Sequence, residues 1–160
     1  MIKVVFVCLG NICRSPMAEG IFKKLVLDKE LANQIQVDSA GTSGYHRGSY
    51  PDPRMRETAV QHNIKLESRS RKFVKDDFKK FDYIVAMDDQ NIADIKSMIS
   101  DKLSEDFELI KLRTFDADAS GEDVHDPYYD TMNGFERCYR VLNESCENLL
   151  NHIIEQHQLL

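Results

Sequence analysis

The chain contains no tryptophan, so its core must rest on Leu, Ile, Val, Phe and Tyr. Cysteine is scarce as well: Cys8, Cys13, Cys138 and Cys146 lack the density of a disulfide framework and fit a reducing cytosol. No apolar run approaches the ~20 residues needed to span a bilayer, which excludes a membrane protein built on such a helix. Met1 leads straight into a strand-like segment, so neither a signal peptide nor a transit segment is expected, and the location expected is cytoplasmic. Positive charge is in deficit; the net charge of −6 argues against nucleic acid as a general partner. Internal repeats and linkers are missing too. The 160 residues amount to one domain able to bury a real core, so residues 1–160 are expected to form a single domain.

Strand-like and helix-like segments alternate along the chain. Lys3 to Val7 is a short apolar, largely β-branched run suited to a strand covered on both faces. Pro16 to about Glu30 spaces Met17, Ile21 and Leu25 as one helix face. Ile35 to Ala40 predicts a second strand, and residues 41–53, rich in Gly, Ser and Pro, a loop. A short helix over Arg54 to His62 follows, then a helical turn or two over Asp76 to Phe81. Tyr83 to Met87 predicts a third strand, Asp89 to Ser100 a helix, and Phe107 to Leu112 a fourth strand. Arg113 to Asp130 is a long acidic loop, a length that inside a compact domain is usually functional or disordered. The last helix, Thr131 to about Gln156, places Phe135, Tyr139, Leu142, Cys146, Leu149 and Ile153 on one stripe. This alternation implies an α/β protein with a parallel sheet and helices on both faces.

The most informative stretch is Val4 to Pro16, which reads as a buried strand, a thiol, a compact loop, an arginine and a helix start. Ser15 is a good N-cap and Pro16 suits the first helical position. Cys8 then lies at the carboxyl end of a strand and faces a helix N-terminus, the edge at which open α/β sheets bind ligands. Backbone N–H groups of a loop curled ahead of a helix form an anion cradle. Gly10 supplies φ freedom for the curl and Asn11 tolerates a left-handed conformation. Arg14 adds a planar fork matched to two phosphate oxygens. A cradle that holds a phosphate dianion also favours a thiolate, so Cys8 is the candidate nucleophile, with Ser15 able to donate its hydroxyl to the sulfur. Cleavage of a phosphate ester further needs a proton donor, and Asp126, placed before Pro127, is the candidate; an Asp-Pro pair that merely opens a turn is the alternative.

The string Cys8 to Glu19, Cys-Leu-Gly-Asn-Ile-Cys-Arg-Ser-Pro-Met-Ala-Glu, resembles the signature of the low-molecular-weight protein tyrosine phosphatases. Asp38 to Thr42, Asp52-Pro53-Arg54, Met87-Asp88 and Asp126 to Tyr129 follow in that family's order and near its spacing, so the likeness covers most of the chain. It implies a flavodoxin-like sheet of four parallel strands in the order 2-1-3-4. It implies hydrolysis of phosphotyrosine and small aryl phosphates through a phosphocysteine, without metal or cofactor. Cys8, Arg14 and Asp126 would be catalytic; Leu9, Gly10, Asn11, Ile12, Cys13 and Ser15 would complete the phosphate-binding loop. Tyr45, Tyr128 and Tyr129 would wall the pocket over a floor of Leu9 and Ile12, although packing on neighbouring loops accounts equally well for any single tyrosine. A branch of the family that acts on phosphoarginine carries threonine at the position of Ile12, so the isoleucine favours an aryl phosphate. Asn11, Ser39 and His62 resemble a network supporting the loop, and Asp88 a cap for the helix after strand three.

Cys13 resembles a redox partner able to form a reversible disulfide with Cys8; a small hydrophobe filling the loop is the other reading. Two positions depart from the family pattern: Asn63 and Asp130 stand where glycine is common. The partners implied are tyrosine-phosphorylated proteins or peptides, met by a monomer, with neither nucleic acid nor membrane involved. Rival functions fare worse. An arsenate reductase of this fold needs a downstream cysteine pair, and nothing between Cys13 and Cys138 supplies one. A phosphate-binding module without activity has no need of Cys8, Arg14 and Asp126 together. The Gly-Lys-Ser/Thr ending of a nucleotide-binding loop is missing. Zinc would require the four cysteines to converge, for which their spacing gives no support.

Overall fold

A computed structural model describes residues 1–100 and 106–160. Its elements are β1 (Ile2–Cys8), α1 (Arg14–Asp28), β2 (Ile35–Gly41), α2 (Pro53–Gln61), α3 (Asp77–Lys80), β3 (Tyr83–Ala86), α4 (Asp89–Lys96), β4 (Glu108–Lys111), a 3-10 turn (Leu112–Phe115) and α5 (Met132–His157). The four strands are parallel and ordered β2-β1-β3-β4, as the resemblance implies.

Strand β1 is central and pairs on both edges, with Cys8 opposite Gly41 and Val7 opposite Ala86. Its two-residue period sends Val4, Phe6 and Cys8 to the face packed by α1, α2 and α5. Val5 and Val7 go to the other face, against Phe73, Phe78 and Ile95. Val4, Val5, Phe6 and Val7 are fully buried, and burial of such side chains stabilises by about 1.5–3 kcal/mol each. Phe6 meets Phe22 of α1 edge-on at 5.4 Å, which fixes α1 against the strand that carries Cys8. Truncating Phe6 to alanine removes that wedge and costs about 3–5 kcal/mol.

Element boundaries depart from expectation where side chains are drawn into other work. Helix α1 starts at Arg14 with Cys13 as N-cap and no side-chain cap, so Ser15 is not the N-cap. The Ser15 hydroxyl is engaged by Asn11 and Cys8 instead. Pro16 is the third residue of the first turn, still among the positions whose N–H has no helical partner. Helix α4 ends at Lys96 rather than Ser100, and the long loop expected after residue 112 opens with the 3-10 turn. On α5 the stripe of Phe135, Leu142, Cys146, Leu149 and Ile153 is buried as its spacing requires.

Candidate active site

Cys8 lies at the floor of a cavity of about 490 Å³ at the carboxyl edge of the sheet. The loop 9–13 curls over it, and the direction of its peptide groups decides what the cavity attracts. The carbonyls are tied outward: Cys8 O to Thr42 N at 2.9 Å, Leu9 O to Ser43 N at 2.9 Å and Ile12 O to Asp52 N at 2.8 Å. Gly10 O likewise accepts from Ser70 Oγ at 2.9 Å. The N–H groups from Gly10 through Ser15 find no protein acceptor among the described residues. Unpaired backbone donors on largely buried residues are costly, and an anion with several acceptor oxygens removes that cost.

Asn11 turns the loop, with φ of 55°, in the left-handed region. Gly10 was expected to share that task but has no positive φ; its missing side chain leaves room for His46, whose Cδ2 would stand 3.1 Å from a Cβ there. Gly41 serves the loop similarly, because a Cβ would come within 2.8 Å of Leu9 O. Asn63, at φ 60°, takes the left-handed conformation that a glycine would. Asp130 needs no glycine conformation: it closes a turn on Pro127 O and receives His125 Nε2 at 3.0 Å.

A hydrogen-bond chain runs under the loop to the sulfur. Arg71 N donates to Asn11 Oδ1 at 3.0 Å, which orients the amide. Asn11 Nδ2 then donates to Ser15 Oγ at 2.7 Å and to Ser39 Oγ at 3.0 Å. Ser39 passes its own proton to Glu19 Oε1 at 2.5 Å, and Glu19 is held by Lys23 at 2.5 Å. Ser15 Oγ thereby accepts from Asn11, lies 3.0 Å from the sulfur of Cys8, nearer than Ala40 O at 3.4 Å, and can donate to that sulfur as a thiolate.

His62 does not belong to this chain. It ends α2, stacks on Tyr139 at 3.6 Å and points Nε2 at both oxygens of Glu136 at 2.9 Å. Glu19 and Arg71, not singled out from sequence, complete the network instead. Glu19 carried a readable signal, a carboxylate otherwise due to be buried on α1; Arg71 carried none.

Arg14 is 2% exposed. Its Nη1 donates to Asp88 Oδ2 at 2.7 Å and Val124 O at 2.9 Å, while Nη2 faces Asp126 Oδ2 at 3.6 Å. Burial opposes its charge, yet the nearby Cys8 and the bond to Asp88 outweigh burial and hold the guanidinium above its ordinary pKa. Asp126 Oδ1 accepts from Tyr128 N at 3.1 Å, so the carboxylate is turned toward Arg14 and the cavity. Leu9, Ile12, Tyr45, Tyr128 and Tyr129 all line the cavity, joined by Ser43 and His46, which sequence reasoning missed. Tyr45 and Tyr129 are largely exposed, as the mouth of a slot requires; Tyr128 is half-covered and lies under Arg54, 5.5 Å from its guanidinium. Cys13 is buried in the loop, and burial, helped by Asp52 and Cys8, raises its thiol pKa.

Among the described residues no cluster of three His, Cys, Asp or Glu side chains is placed to hold a metal ion, and no helix is long and apolar enough to cross a membrane.

The chain is similar to known proteins along nearly its whole length. A low molecular weight protein-tyrosine-phosphatase of Bacillus subtilis, YfkJ, is 40% identical, covering 99% of this chain and 100% of that protein. The crystal structure of a protein tyrosine phosphatase from Entamoeba histolytica superposes with a TM-score of 0.89 at 38% identity, over the whole of both chains. A Drosophila arginine phosphatase superposes with a TM-score of 0.88 at 36% identity, over 95% of this chain and 98% of that one. Residues 3–159 match the profile of one family, described as low molecular weight phosphotyrosine protein phosphatase, and the chain belongs to it.

Proposed function

We propose that the protein hydrolyses phosphotyrosine, and small aryl phosphates, by two displacements at phosphorus. The observation that carries this reading is the run of six N–H groups without protein acceptors among the described residues, in a cavity lined by Cys8, Arg14 and Asp126. The phosphate oxygens take the N–H groups and Arg14 Nη2. Cys8 attacks as thiolate: an S–P bond forms, the P–O bond to the phenol breaks, and Asp126 gives its proton to the departing oxygen. Asp126, now a carboxylate, takes a proton from water, whose oxygen bonds to phosphorus as the S–P bond breaks. Ser15 stabilises the sulfur each time it carries charge. The amides and Arg14 supply the positive field on the phosphoryl oxygens, so the reaction needs no metal.

The similarity to an arginine phosphatase raises phosphoarginine as a second substrate. Ile12 beneath the three cavity tyrosines favours the aryl ester instead. Four free cysteines support a reducing, cytoplasmic setting. Hydrolysis of phosphotyrosine, phosphoserine and phosphoarginine by the parent, Cys8→Ser and Asp126→Ala tests the proposal. Phosphotyrosine should be fastest, EDTA without effect, Cys8→Ser inactive, and Asp126→Ala least impaired with nitrophenyl phosphate, whose leaving group needs no proton. A Cys8→Ser protein as fast as the parent overturns the reading.

A further inference from the structure

Two regions around the cavity differ in uncompensated charge. The acidic side keeps a net negative charge, because two cations are shared among four carboxylates: Lys111 holds Asp89 and Asp123, and Arg113 holds Asp116 and reaches Glu122. Outside the cavity lining, on the chain that backs the phosphate loop, two guanidinium groups gather on one exposed tyrosine. Arg69 lies 4.4 Å from the ring centre of Tyr50 and donates from Nη2 to its hydroxyl at 2.6 Å; Arg56 lies 5.6 Å from the same ring. Neither arginine forms an ion pair with a carboxylate among the described residues, whereas Arg54 nearby is committed to Asp52.

This cluster is fixed to the phosphate loop from behind. Gly48 N donates to Ser70 O and Ser70 N to Ser49 O, both at 2.8 Å, which joins the chain on either side of Tyr50 and Arg69. Ser70 Oγ then bonds Gly10 O, and Asp52 N bonds Ile12 O. Arg69 therefore stands one residue, and Tyr50 two residues, from chain that bonds the loop directly. Extended substrate advances at most about 3.6 Å per residue, so a side chain a few positions from a seated phosphotyrosine can reach beyond the loop toward the chain that bonds it.

We propose that Arg56, Tyr50 and Arg69 form a secondary subsite that takes a carboxylate side chain of the peptide next to its phosphotyrosine. The inference rests on the phosphotyrosine reading above and adds a sequence preference to it. Stacking on Tyr50 holds the guanidinium planes while leaving their remaining N–H donors to a carboxylate, which a planar fork receives better than an ammonium does. Partial exposure keeps the gain modest and sensitive to salt.

The test compares two phosphotyrosine peptides, one flanked by Asp and Glu and one by Asn and Gln, with each kcat/KM divided by that protein's own value for nitrophenyl phosphate. The parent should favour the acidic peptide by about fivefold at low salt, the preference shrinking as salt is added. Arg56→Ala and Arg69→Ala should each bring the ratio toward one, and Arg69→Glu should turn it in favour of the neutral peptide. A parent that hydrolyses nitrophenyl phosphate without preferring the acidic peptide, or variants that keep the parental ratio, overturn the subsite alone. A parent inactive on nitrophenyl phosphate overturns the phosphatase reading and the subsite with it.

Discussion

Asp88 grips Arg14 with one oxygen and the start of α4 with the other. Oδ2 accepts from Arg14 Nη1 and Oδ1 from Asn91 N, both at 2.7 Å, and Asn91 Oδ1 returns a bond to Asp88 N. The capping box thus anchors the guanidinium that faces the phosphate cradle. Asp88→Ala removes a helix cap and leaves a buried charge without its main partner, an expected loss of about 2–4 kcal/mol in urea unfolding, along with a fall in kcat. Asp88→Asn keeps the cap, since Asn caps as well as Asp, but weakens the hold on Arg14. It should retain most of the stability and still lose activity. Equal stability losses in the two variants refute this division of labour.

Toward a Cys8 thiolate, which has no proton to give, Ser15 Oγ at 3.0 Å is necessarily the donor, while Asn11 donates to the same oxygen. The bond matters most where sulfur leaves as an anion, in hydrolysis of the phosphocysteine. Removing one hydrogen bond to a charged group costs about 1.5–3 kcal/mol, so Ser15→Ala should slow that step by about 10- to 100-fold. Rapid-mixing with nitrophenyl phosphate should show a burst of nitrophenol larger than the parent's, with phosphoenzyme accumulating. A uniform slowing without a burst places the role of Ser15 elsewhere.

Arg54 joins α2 to the loop carrying Asp126. Its side chain and N–H bond Asp52, whose own N–H holds Ile12 O, and its guanidinium lies over Tyr128 at 5.5 Å and Phe135 at 4.5 Å. Arg54→Leu should free the Tyr128 wall and raise KM for aryl phosphates about two- to fivefold, the scale of an exposed cation–π contact, with a smaller change in kcat. Arg54→Lys keeps the charge over the ring and should recover part of the loss. Unchanged KM in Arg54→Leu dismisses the positioning role.

What was legible in the sequence was local. Strand β1, the loop and Arg14 lie within a dozen residues, so their spacing alone sets Cys8 at the sheet edge beneath the loop. The supporting network was legible only in part: Asn11 and Ser39 meet as the resemblance implies, whereas Arg71 reaches Asn11 from 60 positions away and Glu19 becomes a partner of Ser39 only when α1 packs beside β2. The N-cap role of Ser15 and the loop-support role of His62 fail for a shared reason, while the contact of Ser15 with the Cys8 sulfur is present. Each residue has a good local role, an N-cap and a loop support, that tertiary contacts overrode: Asn11 and Cys8 claim the hydroxyl, Glu136 and Tyr139 the imidazole. Gly10 was credited with a conformation that Asn11 alone adopts, its real constraint being the nearness of His46.

Cys13 shares the loop with Cys8 but is buried as a thiol of raised pKa. A resolving thiol must lose its proton to attack an oxidised Cys8, so any protective disulfide should form faster as pH rises. Peroxide followed by dithiothreitol should restore the parent more completely than Cys13→Ser, with the gap widening from pH 7 to 9. Equal recovery at every pH assigns Cys13 to packing alone.

Buried thiols also set an alkaline limit to stability. Burial raises Cys13, with Asp52 and Cys8 adding to it; burial pushes Cys138 to about 12 against the pull of Arg14; burial and Asp116 raise Cys146. In the unfolded chain these groups release protons near 9, whereas the folded protein still holds them. The unfolded state therefore binds fewer protons above that pH, and stability falls as pH rises. Each thiol contributes about 1.4 kcal/mol per pH unit, so the three together should remove roughly 4 kcal/mol per unit between about pH 9 and 12. Their contribution is fully present below pH 9. Cys146→Ala leaves a small cavity that lowers stability at every pH, but it should flatten the slope by about one third of the thiol contribution. Urea midpoints measured across pH 8 to 11 separate these effects, because a cavity shifts the curve and a lost titration changes its gradient. Parallel curves for parent and variant show that Cys146 does not stay protonated in the fold.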